Sequence, residues 1–106
     1  MTENQYNKIV DKIIDEINIF KDRKLSLRKD IIYDSFYEIH AHEEIYNYIR
    51  NYGIKMDYKG FPKKHIIEDF YEKFMKTDYS LTQRDLDDFF DYAIAENIKK
   101  QQESQM

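Results

Sequence analysis

Two groups of polar side chains could carry chemistry in this sequence of 106 residues, and the first contains two histidines. The imidazole and carboxylate groups that bind zinc occur together in His40, His42, Glu43 and Glu44. On a helix, His40 and His42 would point about 200° apart and could not share an ion. His40 and Glu44 would lie one turn apart, but two ligands make an incomplete site. The spacing therefore favours a surface ion pair or a helix-breaking histidine, and we expect no bound metal.

The second group is a run of four carboxylates, Asp85, Asp87, Asp88 and Asp91. Paired carboxylates can catalyse hydrolysis, but no base, nucleophile or glycine-rich loop accompanies them. Aspartates near the start of a helix are explained by the positive end of its dipole. Because neither G-x-S-x-G nor a P-loop occurs, we expect that the protein is not an enzyme and uses no cofactor.

Composition limits the scaffold that must position these side chains. With 2 Gly and 1 Pro, a sandwich with many tight turns is disfavoured, whereas 7 Phe and 10 Tyr can fill a core. The length fits a single domain over residues 1–106. Because there is no cysteine, no apolar leader and no long apolar run, we expect a cytoplasmic protein without a membrane partner.

Apolar residues recur with helical spacing in four stretches of the chain. The clearest stretch covers residues 3–20, where the i, i+3, i+4 and i+7 positions are apolar. We therefore predict an all-α fold, a small single-domain bundle of four or five helices. The residues predicted to share its core are Ile13, Ile17, Phe36, Ile39, Phe70, Phe74, Phe89 and Phe90.

Four residues are predicted to mark helix ends. Ser26 can cap the start of the second helix, and Gly53 can end it in a left-handed conformation. Pro62 suits the first position of the third helix, because its missing N–H has no partner there anyway. Thr82 begins the last helix as a capping box with Asp85. Residues 101–106 are predicted to be a frayed polar tail.

The central stretch, residues 31–52, is apolar or aromatic nearly all round when it is placed on a helix. The half that faces away from most of the isoleucines contains Tyr33, Tyr37, Tyr48 and Tyr52. Tyrosine combines apolar area with a polar tip, so this half is either buried or a contact surface. A bend near residues 40–42 would divide the stretch into two helices.

Parts of the chain resemble a family of small uncharacterised proteins of Gram-positive bacteria and their mobile elements. The similar segments are residues 31–36 (IIYDSF), 43–45 (EEI) and 69–79 (DFYEKFMKTDY). The similarity spans residues 31–49 and about 65–95, and the first 25 residues depart from it. It implies an α-helical domain and no established activity.

Charge is distributed unevenly. Residues 68–96 contain nine acids and three bases, whereas residues 21–29 and 50–64 each contain five bases and one acid. One hypothesis is a non-enzymatic protein of phage or mobile-element origin that occupies a basic, nucleic-acid-binding site on a host protein, for example an anti-CRISPR or other anti-defence inhibitor. Its predicted contact residues are Tyr33, Tyr37, Tyr48, Tyr52, Asp85, Asp87, Asp88 and Asp91.

Two alternatives remain open. The segment 48–64 interleaves aromatic and basic residues, which suits a nucleic-acid-binding accessory protein because bases stack on rings while cations meet phosphates. The predicted contacts are Arg50, Lys55, Tyr58, Lys59, Lys63 and Lys64. The other alternative is a homo-oligomerising helical domain that uses the same tyrosines as the first hypothesis.

Overall fold

The computed structural model describes residues 1–28 and 35–104, and this part of the chain is all-α, as predicted. Its helices are α1 (Glu3–Leu25), α2 (Phe36–Tyr52), α3 (Ile66–Met75) and α4 (Gln83–Ser104). Two short 3-10 turns, Gly53–Lys55 and Tyr58–Gly60, connect α2 to the segment before α3. α1 packs against α2 and α3, and α4 packs against the second turn and α3. No helix in the described ranges is long and apolar enough to cross a bilayer.

Both ends of α1 are fixed by side chains of its own flanks. Thr2 Oγ1 accepts a hydrogen bond from the Gln5 amide, while Gln5 Oε1 accepts from the Thr2 amide, which forms a capping box. At the other end Ser26 is the C-cap, and its hydroxyl donates to the carbonyl of Arg23 at 2.8 Å. The prediction that Ser26 begins the next helix is wrong, because its hydroxyl satisfies a terminal carbonyl of α1 instead.

α2 is one continuous helix through residues 40–42. The predicted start of the central helix, residues 31–34 with Tyr33, lies outside the described residues. Gly53 follows α2 with φ −59°, a right-handed conformation, so the predicted left-handed stop is wrong. The chain tightens there into a 3-10 turn, in which the Met56 amide donates to the carbonyl of Gly53.

α3 starts at Ile66, four residues after Pro62, so the prediction that Pro62 is the first helical residue is wrong. The free amides at the start of α3 are satisfied from another helix. The carboxylate of Glu16 on α1 accepts hydrogen bonds from the Ile67 and Glu68 amides at 3.0 and 2.9 Å. A carboxylate at this position also complements the positive end of the helix dipole.

α4 begins as predicted at Thr82, whose Oγ1 accepts a hydrogen bond from the Asp85 amide at 3.3 Å. Asp85 does not complete a capping box with Thr82. Its carboxylate accepts from the amide and the hydroxyl of Ser80, at 2.7 and 2.6 Å, and these bonds lower the pKa of Asp85. α4 continues through Ser104, four residues into the polar tail.

The core contains most of the residues predicted for it. Those that are buried as expected are Ile13, Ile17, Phe70, Phe74, Phe89 and Phe90. Phe36 is 71% exposed, so its assignment to the core is wrong, and Ile39 is only half-buried. The first buried residue of α2 is Ala41, which places Phe36 more than one turn beyond the part of α2 that the other helices cover.

Candidate partner-binding site

Tyr48 of α2 connects the predicted tyrosine surface to the acidic flank of α4. Its hydroxyl donates to Asp87 at 2.5 Å, and its ring stacks on Phe90 with centroids 4.5 Å apart. Burial, reinforced by the carboxylate of Asp87, raises the pKa of Tyr48. Because Tyr48 is buried, it cannot itself be an exposed contact, and instead it holds α2 against α4.

An open groove of about 390 Å³ lies next to this hydrogen bond, between the end of α2, the 3-10 turns and α4. We call it the acidic–aromatic groove, and its lining includes Tyr48, Tyr52, Lys55, Met56, Asp57, Phe90, Asp91, Ile94, Ala95 and Ile98. The ring of Tyr52 lies 4.8 Å from that of Tyr48 and is 38% exposed. The carboxylates of Asp57 and Asp91 and the apolar side chains of α4 lie in the same groove, which suits a cationic side chain with an aliphatic stem.

The other described members of the predicted partner surface lie elsewhere, and Tyr33 is outside the described residues. Tyr37 is 52% exposed at the start of α2, and Asp85 faces a different depression with Tyr79 and Tyr92. Asp88 is exposed but is not among the residues that line the acidic–aromatic groove. The structure therefore brings together Tyr48, Tyr52, Asp87 and Asp91, half of the residues predicted for partner binding.

The predicted nucleic-acid contacts do not form one strip. The guanidinium of Arg50 donates to the hydroxyl of Tyr46 at 3.0 Å and lies over its ring. Tyr58 packs partly buried against the core. The remaining contacts are divided: Lys55 lines the acidic–aromatic groove, Lys59 follows Asp57 in the second 3-10 turn, and Lys63 and Lys64 line a groove beside α1.

His42 is a buried residue whose role the sequence reasoning missed. Its ring lies between Phe20 and Tyr71, with centroid distances of 3.9 and 4.2 Å. Nδ1 donates to the carbonyl of Glu38 at 2.7 Å, because a carbonyl can only accept, and Nε2 pairs with Glu68 at 2.7 Å. Both nitrogens are therefore occupied within the protein, which leaves neither for a metal ion.

A signal for this role was present in the sequence. His42 lies three and seven residues before the buried Ile45 and Ile49, so it shares their helix face. Its neighbour Glu43 behaves as expected for a surface position, because its carboxylate pairs with Lys21 of α1 at 3.1 Å.

A second polar cluster joins α3 to α4 in another groove. Glu96 accepts hydrogen bonds from Lys73 on α3 and Lys100 on α4, at 3.0 and 3.1 Å. A hydrogen bond from Tyr92, together with these two lysines, lowers the pKa of Glu96 to about 2. Because the single carboxylate of Glu96 on α4 bonds to Lys73 on α3 as well as to Lys100, this cluster acts as an ionic clamp between the two helices.

No family model, curated protein or solved structure matches this chain. The resemblance of residues 31–49 and about 65–95 to small uncharacterised proteins of Gram-positive bacteria therefore stays a prediction.

Proposed function

We propose that this chain is a non-enzymatic interaction protein that binds a basic surface of a partner protein through the acidic–aromatic groove. The observation that carries the proposal is the hydrogen bond between Tyr48 and Asp87. It fixes the tyrosines of α2 beside the acidic flank of α4, so that an exposed ring, two carboxylates and an apolar floor lie in one groove.

The charges around this groove favour a basic partner. Asp91 is exposed and forms no ion pair among the described residues, and Lys55 is the one basic residue in the lining. The segment from Glu68 to Glu96, which includes most of α4, has six more acids than bases. Such a field attracts cations over a Debye length of about 8 Å at physiological salt, so added salt should weaken binding.

Tyr52 supplies an apolar contact area that the charged residues of the groove do not provide. It is 38% exposed and rests on the buried Tyr48, so its ring is held in place before binding. Aromatic residues in such positions often dominate binding energy, because they bury a large apolar area at little entropic cost. We therefore assign Tyr52 as the anchor and Asp91 as the steering charge.

The partner class proposed is a host protein with a basic, nucleic-acid-binding site, and the protein would act as an inhibitor by occupying that site. An anti-CRISPR or other anti-defence protein of phage or mobile-element origin is the concrete form of this proposal. It is supported by the small size of the chain, by the absence of catalytic motifs from its sequence and by the acidic character of residues 68–96.

The test compares two charge reversals one turn apart on the same helix. Asp91→Lys changes the groove, whereas Asp88→Lys makes the same charge change at an exposed position outside its lining. Each variant and Tyr52→Ala is used in a pull-down from a lysate of a Gram-positive bacterium, after circular dichroism has confirmed folding. We expect proteins retained by the wild type and by Asp88→Lys to be lost with Asp91→Lys and Tyr52→Ala.

The opposite pattern would contradict the proposal. If folded Asp91→Lys and Tyr52→Ala retain every partner of the wild type at physiological salt, the groove is not the binding surface. If Asp88→Lys removes the same partners as Asp91→Lys, net charge alone explains binding and the groove has no specific role.

A further inference from the structure

A second groove, on a different face, has an apolar floor and a basic rim. It has a volume of about 740 Å³ and lies between α1, the start of α2 and the segment before α3. We call it the basic-rimmed groove, with a floor of Ile17, Ile19, Phe20 and Ile67 and a rim of Lys12, Arg23, Lys63 and Lys64. Ile19 is 60% exposed, so the floor includes apolar area that nothing in the described ranges covers.

Three of the carboxylates that line this groove already have partners inside the protein. Glu16 accepts two amide hydrogen bonds at the start of α3. Glu38 pairs with Lys24 at 3.1 Å, and Glu68 pairs with His42 at 2.7 Å. These contacts hold α1, α2 and α3 together, so the three carboxylates are engaged inside the fold while they still contribute negative charge to the groove.

The rim cations differ from these acids in their surroundings. Arg23, Lys63 and Lys64 are exposed, and no described carboxylate forms an ion pair with them. Lys12 donates to the carbonyl of Lys63 at 3.4 Å, which places its ammonium beside the other cations. Among the exposed charged side chains of the described lining, four are lysine or arginine (Lys12, Arg23, Lys63 and Lys64) and one, Asp15, is acidic, on a protein whose net charge is −4.

We propose that the basic-rimmed groove binds an acidic amphipathic helix of a partner protein. Carboxylates of that helix would meet the rim, and apolar side chains at i, i+3 or i+4 would cover Ile19 and the floor. Single-stranded nucleic acid fits less well, because the floor is largely aliphatic. The ring of Phe20 is already stacked on His42, with an angle of 9° between their planes, so it cannot stack freely on a base.

The proposal is tested with a display library of random peptides selected on the full-length protein. Selected peptides are then measured by fluorescence anisotropy against Lys63→Glu/Lys64→Glu and Ile19→Ala. The matched control is Lys8→Glu/Lys99→Glu, which makes the same charge change at exposed positions outside the groove. Both floor and rim variants alter exposed side chains, so folding should be retained and is checked by circular dichroism.

We expect enrichment of peptides with acidic residues and apolar residues at helical spacing. Their dissociation constant should rise about tenfold with Lys63→Glu/Lys64→Glu and about threefold with Ile19→Ala, and should not change with the control. Asp91→Lys should also leave peptide binding unchanged, which separates this proposal from the one for the acidic–aromatic groove.

Three results would overturn the proposal. The first is that no acidic amphipathic peptides are enriched, or that the rim reversal binds them as well as the wild type does. The second is that oligothymidine of about 12 nucleotides binds through Lys63 and Lys64 more tightly than the peptides do. The third is that analytical ultracentrifugation of the protein alone shows a dimer that Lys63→Glu/Lys64→Glu abolishes, which would assign the groove to a second copy of the chain.

Discussion

His42 on α2 and Glu68 on α3 are joined by a hydrogen bond of 2.7 Å, and His42 is only 2% exposed. The same imidazole stacks on Phe20 of α1, so one side chain contacts three helices. A buried ring with both nitrogens bonded fixes how these helices meet, because any other arrangement would leave polar atoms without partners.

We therefore expect His42→Ala to lower the free energy of unfolding by roughly 2–4 kcal/mol, through a cavity and a lost hydrogen bond. Urea unfolding followed by circular dichroism measures this change. His40→Ala is the matched control, because His40 is exposed two residues earlier on the same helix and should change stability by less than about 0.5 kcal/mol. Equal effects of the two variants would show that the buried pair has no special role.

Gly60 is required by the close approach of the second 3-10 turn to α4. A Cβ atom at this position would lie 2.5 Å from Cγ2 of Ile94 and 2.9 Å from its carbonyl oxygen. Gly60→Ala should therefore push α4 away and cost about 1–3 kcal/mol in unfolding free energy. Gly53→Ala is the control, because its Cβ would come no closer than 3.3 Å, to Ile49, in a right-handed conformation. If Gly60→Ala melts like the wild type, α4 does not lie as close to the turn as described.

Thr82 caps α4 through a single side-chain oxygen. We expect Thr82→Ala to destabilise the protein by about 1 kcal/mol, because the Asp85 amide loses its acceptor. Thr82→Asn retains an oxygen that can cap and should restore most of the stability. Thermal scans of the two variants check this, and an alanine variant that melts at the wild-type temperature would contradict the cap.

Glu96 should make the protein sensitive to acid. Its pKa is about 2 in the folded protein and about 4.5 without these partners. Because the folded value is lower, the stabilisation is fully present above about pH 4.5 and is lost as the pH falls towards 2. The difference in melting temperature between the wild type and Glu96→Gln should therefore be constant near neutral pH and shrink between about pH 4.5 and 2.

Glu103→Gln is the control for that comparison, because it removes one carboxylate from an exposed position near the end of α4. Its melting temperature should follow that of the wild type across the same pH range. If the difference between the wild type and Glu96→Gln persists undiminished at pH 2, the ionic clamp with Lys73 and Lys100 does not act as described.

Much of the fold could be predicted because helices and their caps depend on residues close together in the chain. The apolar stripe through Ile9, Ile13 and Ile17 repeats every four residues, and this local period alone indicates a buried helix face. Thr82 could be recognised as a cap for the same reason, since the amide it accepts from is three residues away.

The wrongly predicted helix caps show that a helix end cannot always be recognised from the residues next to it in the sequence. Ser26 and Pro62 are both residue types that often start helices, yet neither begins one here. The start of α3 is set by Glu16, which is 51 residues from one of the amides it accepts. A carboxylate supplied by a different helix leaves no pattern near the residues that it caps.

The candidate sites depended on the tertiary structure even more strongly. The sequence alone established an all-α chain with aromatic and acidic residues in its second half, but it could not say which of them meet. Tyr48 and Asp87 are 39 residues apart, and His42 and Glu68 are 26 apart. Such pairs form only when helices pack at one particular rotation and offset, because a hydrogen bond requires its two atoms within about 3 Å. Packing of the whole core, rather than any local sequence, decides that rotation.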